Sequence, residues 1–268
     1  MKRLSFAGDF AVCPHECGGI SPLADFAAAA VARGSVSLTV SMPDGCAPSP
    51  SMLAVRDAFA GRLDILFATS DSPCDQIDPP FDPDVRIAAL HSLRIEDRLY
   101  PINTDREALR SVLSALGGNA NELVRRSCRA LMPMGDARYD VVEMPDIDGW
   151  KGLLGVLWNA DEHTARRCMI ELADAWIAQN AVFAVRMMPI SFCDGVMAQP
   201  NPSAMVLRRI GEARGRVVPT SHARSTDELG RNFDLACVQL MACGIANWHF
   251  PTQNGWEAFS LRYNCKKI

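Results

Sequence analysis

Two thiols, an imidazole and a carboxylate fall within five residues at Cys13, His15, Glu16 and Cys17, the densest reactive cluster in the chain. A thiol beside an imidazole can be held as a thiolate, which attacks acyl carbon, so Cys13 is a candidate nucleophile and His15 a candidate base. Cys13, His15 and Cys17 are also donors of the kind that hold zinc, although a second short-spaced ligand pair and a clear fourth ligand are missing from the motif. A second candidate base, His249, lies in Asn247-Trp-His-Phe-Pro-Thr. Imidazole titrates near neutral pH and suits that role, while packing between Trp248 and Phe250 is the structural alternative. Gly18 and Gly19 follow the thiol cluster and would let an anion approach backbone N–H groups at the start of the next helix. Asp146 and Asp148 follow a strand, where they can orient a base, hold a metal or cap a helix. Asn247 and Trp248 are the polar and stacking contacts expected for a small molecule.

These residues need a scaffold, and alternating strand and helix patterns supply one. The run at residues 2–10 reads as a short first strand broken by Gly8-Asp9, a pair suited to a turn. Helical spacing follows from Ser21-Pro22 to Gly34, a strand pattern over 36–42, a helix over about 51–59 and a strand over 62–68. Residues 70–83 are rich in Ser, Asp and Pro and read as a long loop, in which Asp71 and Asp75 are solvated. A short strand is predicted at 85–90, and two helices, about 105–116 and 119–132, are separated by Gly117-Gly118. Strand patterns then recur at 139–144, 181–190 and 216–220, with helices at 160–179, 202–215 and 227–241 between and after them. The expected fold is one α/β domain over 1–268, a mostly parallel sheet with helices on both faces and a helical insertion at about 104–132.

Gly8-Asp9 after the first strand, and the late His249 before Pro251-Thr252, resemble the terminal blocks of the SGNH or GDSL-type hydrolase superfamily. The resemblance implies a flavodoxin-like three-layer sandwich and places a nucleophile just after Asp9 and a base at His249. Phe10 stands where that family has its serine, Ala246 where it has an aspartate, and Pro145 to Gly149 form a loose counterpart of its oxyanion block. A divergent relative follows: an acyltransferase or esterase on an acylated or carbohydrate-like small molecule. Cys13 would be its nucleophile, His249 or His15 its base, and backbone N–H groups near Asp9 or Gly18 its oxyanion donors. One alternative is a non-catalytic binding or assembly protein, with Trp248 and Trp256 stacking on a sugar or meeting a partner chain. Another is a metal-dependent enzyme using Cys13, His15 and Cys17.

The 268 residues carry a formal charge of −4 with 49% hydrophobic and 22% charged residues, and the pI is about 5.7. That balance excludes a general nucleic-acid binder, whose domain is usually basic. No apolar run approaches membrane-span length and no signal-type segment precedes Gly8, so a cytoplasmic protein is expected. Ten cysteines scattered along a chain of this size read as reduced thiols. Dinucleotide and P-loop glycine motifs are missing, so no cofactor is expected. The expected partner is a small-molecule ligand or substrate, with no nucleic acid and no membrane, and the oligomeric state is left open.

Overall fold

Strand β1 (Gly8–Val12) is buried at all five positions, so Gly8 and Asp9 lie inside the strand that the sequence pattern ends before them. Glycine is needed at position 8 for close packing, since a Cβ would sit 2.5 Å from the Ser37 carbonyl oxygen and 2.9 Å from the Phe250 ring. The computed structural model describes residues 7–71, 79–102, 105–133, 139–186 and 201–261. Residues 2–6 of the predicted first strand, residues 72–78 of the predicted loop with Asp75, and residues 187–190 of the predicted 181–190 strand lie outside the described residues.

After β1 come α1 (Leu23–Ala32), β2 (Ser37–Ser41), α2 (Pro50–Phe59), β3 (Asp64–Asp71) and β4 (Val85–Ala88). A hairpin of β5 (Ser92–Ile95) and β6 (Arg98–Pro101), which no sequence pattern announced, leads to α3 (Arg106–Ala115) and α4 (Ala120–Ala130). Then follow β7 (Val141–Val142), α5 (Ile147–Leu154), α6 (Glu162–Ala178), β8 (Val182–Arg186), α7 (Ala204–Glu212), β9 (Arg216–Thr220) and α8 (Phe233–Ala242). The chain described ends in a hairpin, β10 (Asn247–Thr252) and β11 (Gly255–Ser260). Helix starts are set locally. Ser49, Asp105, Asn119, Asp146 and Asp161 each accept a hydrogen bond from a backbone N–H three residues on.

Seven strands form one parallel sheet in the order β1-β2-β3-β4-β7-β8-β9. That order follows the chain without reversal, whereas a flavodoxin-like sandwich reverses direction at a switch point. The edges then come together: β1 lies against β9, Ser221 N donates to Asp9 Oδ1 at 2.9 Å, and Cys13 N donates to the Ala223 carbonyl at 2.8 Å. The result is a nearly closed barrel wrapped by helices, not the expected three-layer sandwich. A bulge at Ala11, φ 59°, gives neighbouring residues different surroundings. Phe10 joins the large core cluster that contains Phe250, and Val12 joins Leu23 and Phe26 under α1. Phe10, fully buried, is a core residue.

The β10–β11 hairpin closes the opposite end of the barrel. Ser37 Oγ, at the start of β2, donates to the Pro251 carbonyl at 2.5 Å, and Gln253 N donates to Asp64 Oδ2 at the start of β3 at 3.1 Å. The amino ends of the strands are therefore plugged, and the carboxyl ends are left to form a site. Among the described residues no helix is long and apolar enough to cross a membrane.

Candidate active site at the carboxyl mouth of the barrel

A cavity of about 530 Å³ opens where the strands end, a size that suits a small organic molecule. Its polar wall comes from Ser41 at the end of β2, Ser70 in β3, His91 after β4, Glu143 after β7, Arg186 at the end of β8 and His222 after β9. Its apolar wall comes from α3 and α5, through Leu109, Trp150 and Leu153.

His222 is held in an unusual backbone state. Its φ is 48°, in the left-handed region that side chains other than glycine rarely occupy. Three hydrogen bonds fix the turn: His222 N donates to Thr220 Oγ1 at 3.2 Å, Ala223 N to Ser221 Oγ at 3.1 Å, and Ser221 Oγ to Asp9 Oδ2 at 2.5 Å. Asp9 Oδ2 also accepts from Gly230 N at 2.9 Å. Both oxygens of this fully buried carboxylate are thus spent on the segment after β9. Burial pushes the Asp9 carboxyl up to about 6, against the lowering effect of its Ser221 and Gly230 hydrogen bonds and of His222. Backbone strain of this kind persists where surrounding contacts over-determine it, often at functional sites.

Glu143 Oε1 lies 3.3 Å from His222 Nε2. Burial works against its charge, but His222, Arg186 and His91 together outweigh burial and hold Glu143 down at about 2. The carboxylate is therefore ionised throughout the physiological range. Arg186 lines the cavity, and among the described residues its guanidinium makes no hydrogen bond or ion pair of its own. His91 Nε2 meets Ser70 Oγ at 2.8 Å, on the side shared with a smaller cavity bounded by Asp71. A carboxylate and imidazole in contact, beside an open guanidinium, can move a proton and receive an anion.

The residues singled out from sequence occupy several places. His15 and Cys17 sit in a 3-10 turn just beyond β1, with Cys13 between the strand and the turn, at the correct end of the barrel, but none of the three lines the cavity. Cys13 Sγ donates to the Cys17 carbonyl at 3.0 Å, Cys17 Sγ faces Met42 Sδ at 3.9 Å, and His15 is exposed. Burial pushes both thiols up, Cys17 to about 12, which keeps them protonated. Cys17 is expected to react with iodoacetamide at pH 7.5 roughly tenfold or more slowly than the exposed Cys46, and Cys13→Ala to leave ligand binding at the mouth unchanged; peptide mapping and calorimetry check the two. Gly18 caps the turn at φ 88°, and Gly19 packs where a Cβ would strike the Cys13 carbonyl. The first turn of α1 is already served by a carboxylate, because Leu23 N donates to Glu16 Oε2 at 3.1 Å. Asp146 caps α5 and lines the cavity, while Asp148, in the first turn of α5, is pushed up by lost hydration and by Asp146.

His249 is on β10, at the plugged end of the barrel, and so does not meet Cys13, which follows the carboxyl end of β1. Burial and Arg216 push its pKa down, against a backbone hydrogen bond with Val217. Asn247 is exposed at the same end, and Trp248 is buried edge-on to Phe233, with ring centroids 5.2 Å apart. Sequence reasoning passed over Glu143, Arg186, His222 and His91. The usable signal was positional for three of them: Glu143, His91 and His222 stand at or just past the carboxyl end of a predicted strand, whereas Arg186 falls inside the predicted 181–190 strand and ends only the observed one.

No family model matches the chain, and no curated protein sequence matches it. Solved structures do resemble it. A protein assigned as histidinol phosphatase hisK from Listeria monocytogenes shares 12% identity over 86% of this chain and 99% of its own, with a TM-score of 0.58. A histidinol phosphate phosphatase from Lactococcus lactis, solved with zinc, L-histidinol and phosphate, shares 12% identity over 94% of this chain and 98% of its own, with a TM-score of 0.56. These likenesses and the unreversed strand order overturn the SGNH or GDSL resemblance, and with it the acyltransferase or esterase reading. At this identity the likeness shows a shared barrel fold, and the chemistry has to be argued from this chain's own residues.

Proposed function

We propose that the protein binds a small organic phosphate at the carboxyl mouth of its barrel and hydrolyses the ester. The observation that carries this reading is the grouping of Arg186, His222 and His91 around the ionised Glu143 in an open cavity. Arg186 offers a planar pair of donors that matches phosphoryl oxygens. The Glu143–His222 pair is placed to pass a proton to the leaving oxygen as water attacks phosphorus. Phosphate in the Lactococcus lactis neighbour supports the choice of anion.

Zinc accompanies phosphate in that neighbour, and the residues here were compared with such a site. Among the described residues no three His, Cys, Asp or Glu side chains gather to hold a metal. Both Asp9 oxygens are occupied by Ser221 and Gly230, and Glu143 has the Arg186 charge beside it. The described donors do not fit a zinc ion. That disagreement favours a second reading, in which the same anion is bound without turnover.

The test is p-nitrophenyl phosphate hydrolysis and calorimetric binding of inorganic phosphate, each in EDTA and again with added zinc. Wild type is expected to bind phosphate in EDTA, and Arg186→Met to weaken binding by at least about 10-fold, the scale of a charge-assisted hydrogen bond. Turnover separates the two readings. If neither condition gives phosphate binding, both readings fall.

A further inference from the structure

A hydroxyl and an imidazole meet in the wall of the mouth cavity. Ser70, next to last in β3, places its Oγ 2.8 Å from Nε2 of His91, which follows β4, and both residues line the cavity together with Arg186. The backbone is pinned on each side. Ser70 pairs with Ile87 in the parallel ladder, Ala89 N donates to the Asp71 carbonyl at 3.0 Å, and Ile102 N donates to the His91 carbonyl at 3.2 Å. Ser70 is half-buried and His91 exposed, so a ligand entering from solvent can reach the pair. With the ring proton on Nδ1, Nε2 accepts the Ser70 O–H, and a serine within hydrogen-bond reach of a base is an activated nucleophile. His91 and Arg186 both act on the Glu143 charge, so this pair and the anion receptor serve one place.

We propose that Ser70 is a nucleophile served by His91, and that the phosphoryl group of the ester passes through a covalent bond to Ser70 Oγ before water takes it. This rests on the reading of the mouth as a phosphate site and splits its hydrolysis into two displacements. In the first, Ser70 Oγ bonds to phosphorus as the bond from phosphorus to the ester oxygen breaks. His91 takes the hydroxyl proton, and the Glu143–His222 pair gives a proton to the departing alcohol. In the second, water bonds to phosphorus as the bond to Ser70 Oγ breaks; His91 returns its proton to Ser70, the Glu143–His222 pair recovers one from water, and phosphate leaves.

The experiment treats the full chain with diisopropyl fluorophosphate and maps the adduct by peptide mass spectrometry. Ser70 Oγ displaces fluoride from phosphorus and its proton goes to His91, so the label reads the nucleophile without turnover of any phosphate ester. Wild type is expected to take up about one label per chain, on Ser70 and not on Ser41 of the same wall. His91→Gln, which keeps a polar side chain but cannot take the proton, is expected to slow labelling by about 10²-fold or more. Arg186→Met is expected to label like wild type, because the reagent carries no charge. Acid quenching of wild type during p-nitrophenyl phosphate turnover is expected to trap phosphate on Ser70. Absence of label from Ser70, or equal rates in wild type and His91→Gln, overturns the assignment of Ser70 and leaves the phosphate site to its own binding test. Release of p-nitrophenol with Ser70 never phosphorylated overturns the covalent step in favour of direct attack by water. Label on Ser70 in a protein that neither binds phosphate nor releases p-nitrophenol keeps the nucleophile and removes the phosphatase reading.

Discussion

Glu143→Gln is expected to keep phosphate binding and lose turnover, with kcat for p-nitrophenyl phosphate falling by about 10²- to 10⁴-fold, the range for removing a positioned acid–base group. The glutamine is nearly the same shape but lacks the charge that faces His222 at 3.3 Å and that Arg186 and His91 also reinforce. Removing that charge leaves the Arg186 guanidinium free to receive the anion, so phosphate affinity should hold or rise while kcat drops. Arg186→Met should do the reverse and lose affinity first. Stability gives an independent readout. Glu143 is held at about 2 against an ordinary value of 4.5, so its contribution is present above pH 4.5 and is lost as pH falls through 2. The shift corresponds to roughly 3 kcal/mol. Wild type and Glu143→Gln should therefore differ most in Tm at neutral pH and converge near pH 2. Unchanged kcat together with parallel Tm profiles would remove Glu143 from the mechanism.

Asp9→Asn is expected to change both the pH dependence of stability and the efficiency of the site. Here the sign is opposite: the folded carboxyl is raised to about 6 from 3.8. Its contribution is fully present below pH 3.8 and lost as pH rises through 6, a loss of roughly 3 kcal/mol. Asparagine removes that titration, so the variant's stability should be flatter between pH 4 and 7. It also sets an amide N–H₂ against Gly230 N–H or Ser221 Oγ–H, and an unsatisfied buried donor costs about 1–3 kcal/mol. The variant should thus be less stable than wild type at pH 4 and close to it at pH 8. Because Asp9 fixes Ser221 and Ser221 fixes the turn at His222, kcat should also fall by about 10- to 100-fold, the cost of a small misplacement, with KM nearly unchanged. Asp9 is a positioning residue in this account, and a Tm–pH profile parallel to wild type with unaltered kcat would show that it is not.

The candidate site was only partly legible. The strand over residues 139–144 and the strand beginning at 181 were readable from their apolar runs, and each carries a site residue near its carboxyl end. Glu143 drew no attention because a lone carboxylate after a strand is ordinary, and Arg186 because a charge inside an apolar run reads as its edge. Cys13, His15 and Cys17 drew attention because they are adjacent in sequence, which says nothing about whether they share a cavity. Their turn instead caps α1 through Glu16 and folds under the segment after β9.

Sequence by itself determined what depends on near neighbours: the alternation of strands and helices, the capped helix starts and an acidic balance unlike a nucleic-acid binder. These follow from periodicity, capping and charge, each of which acts over a few residues. Strand order, barrel closure and the meeting of Glu143, Arg186 and His222 were decided only by tertiary structure. A sandwich and a barrel use the same local alternation and differ in which strands become neighbours. Here that choice is visible in contacts such as Asp9 to Ser221, which joins residues 212 positions apart, beyond the reach of any local pattern.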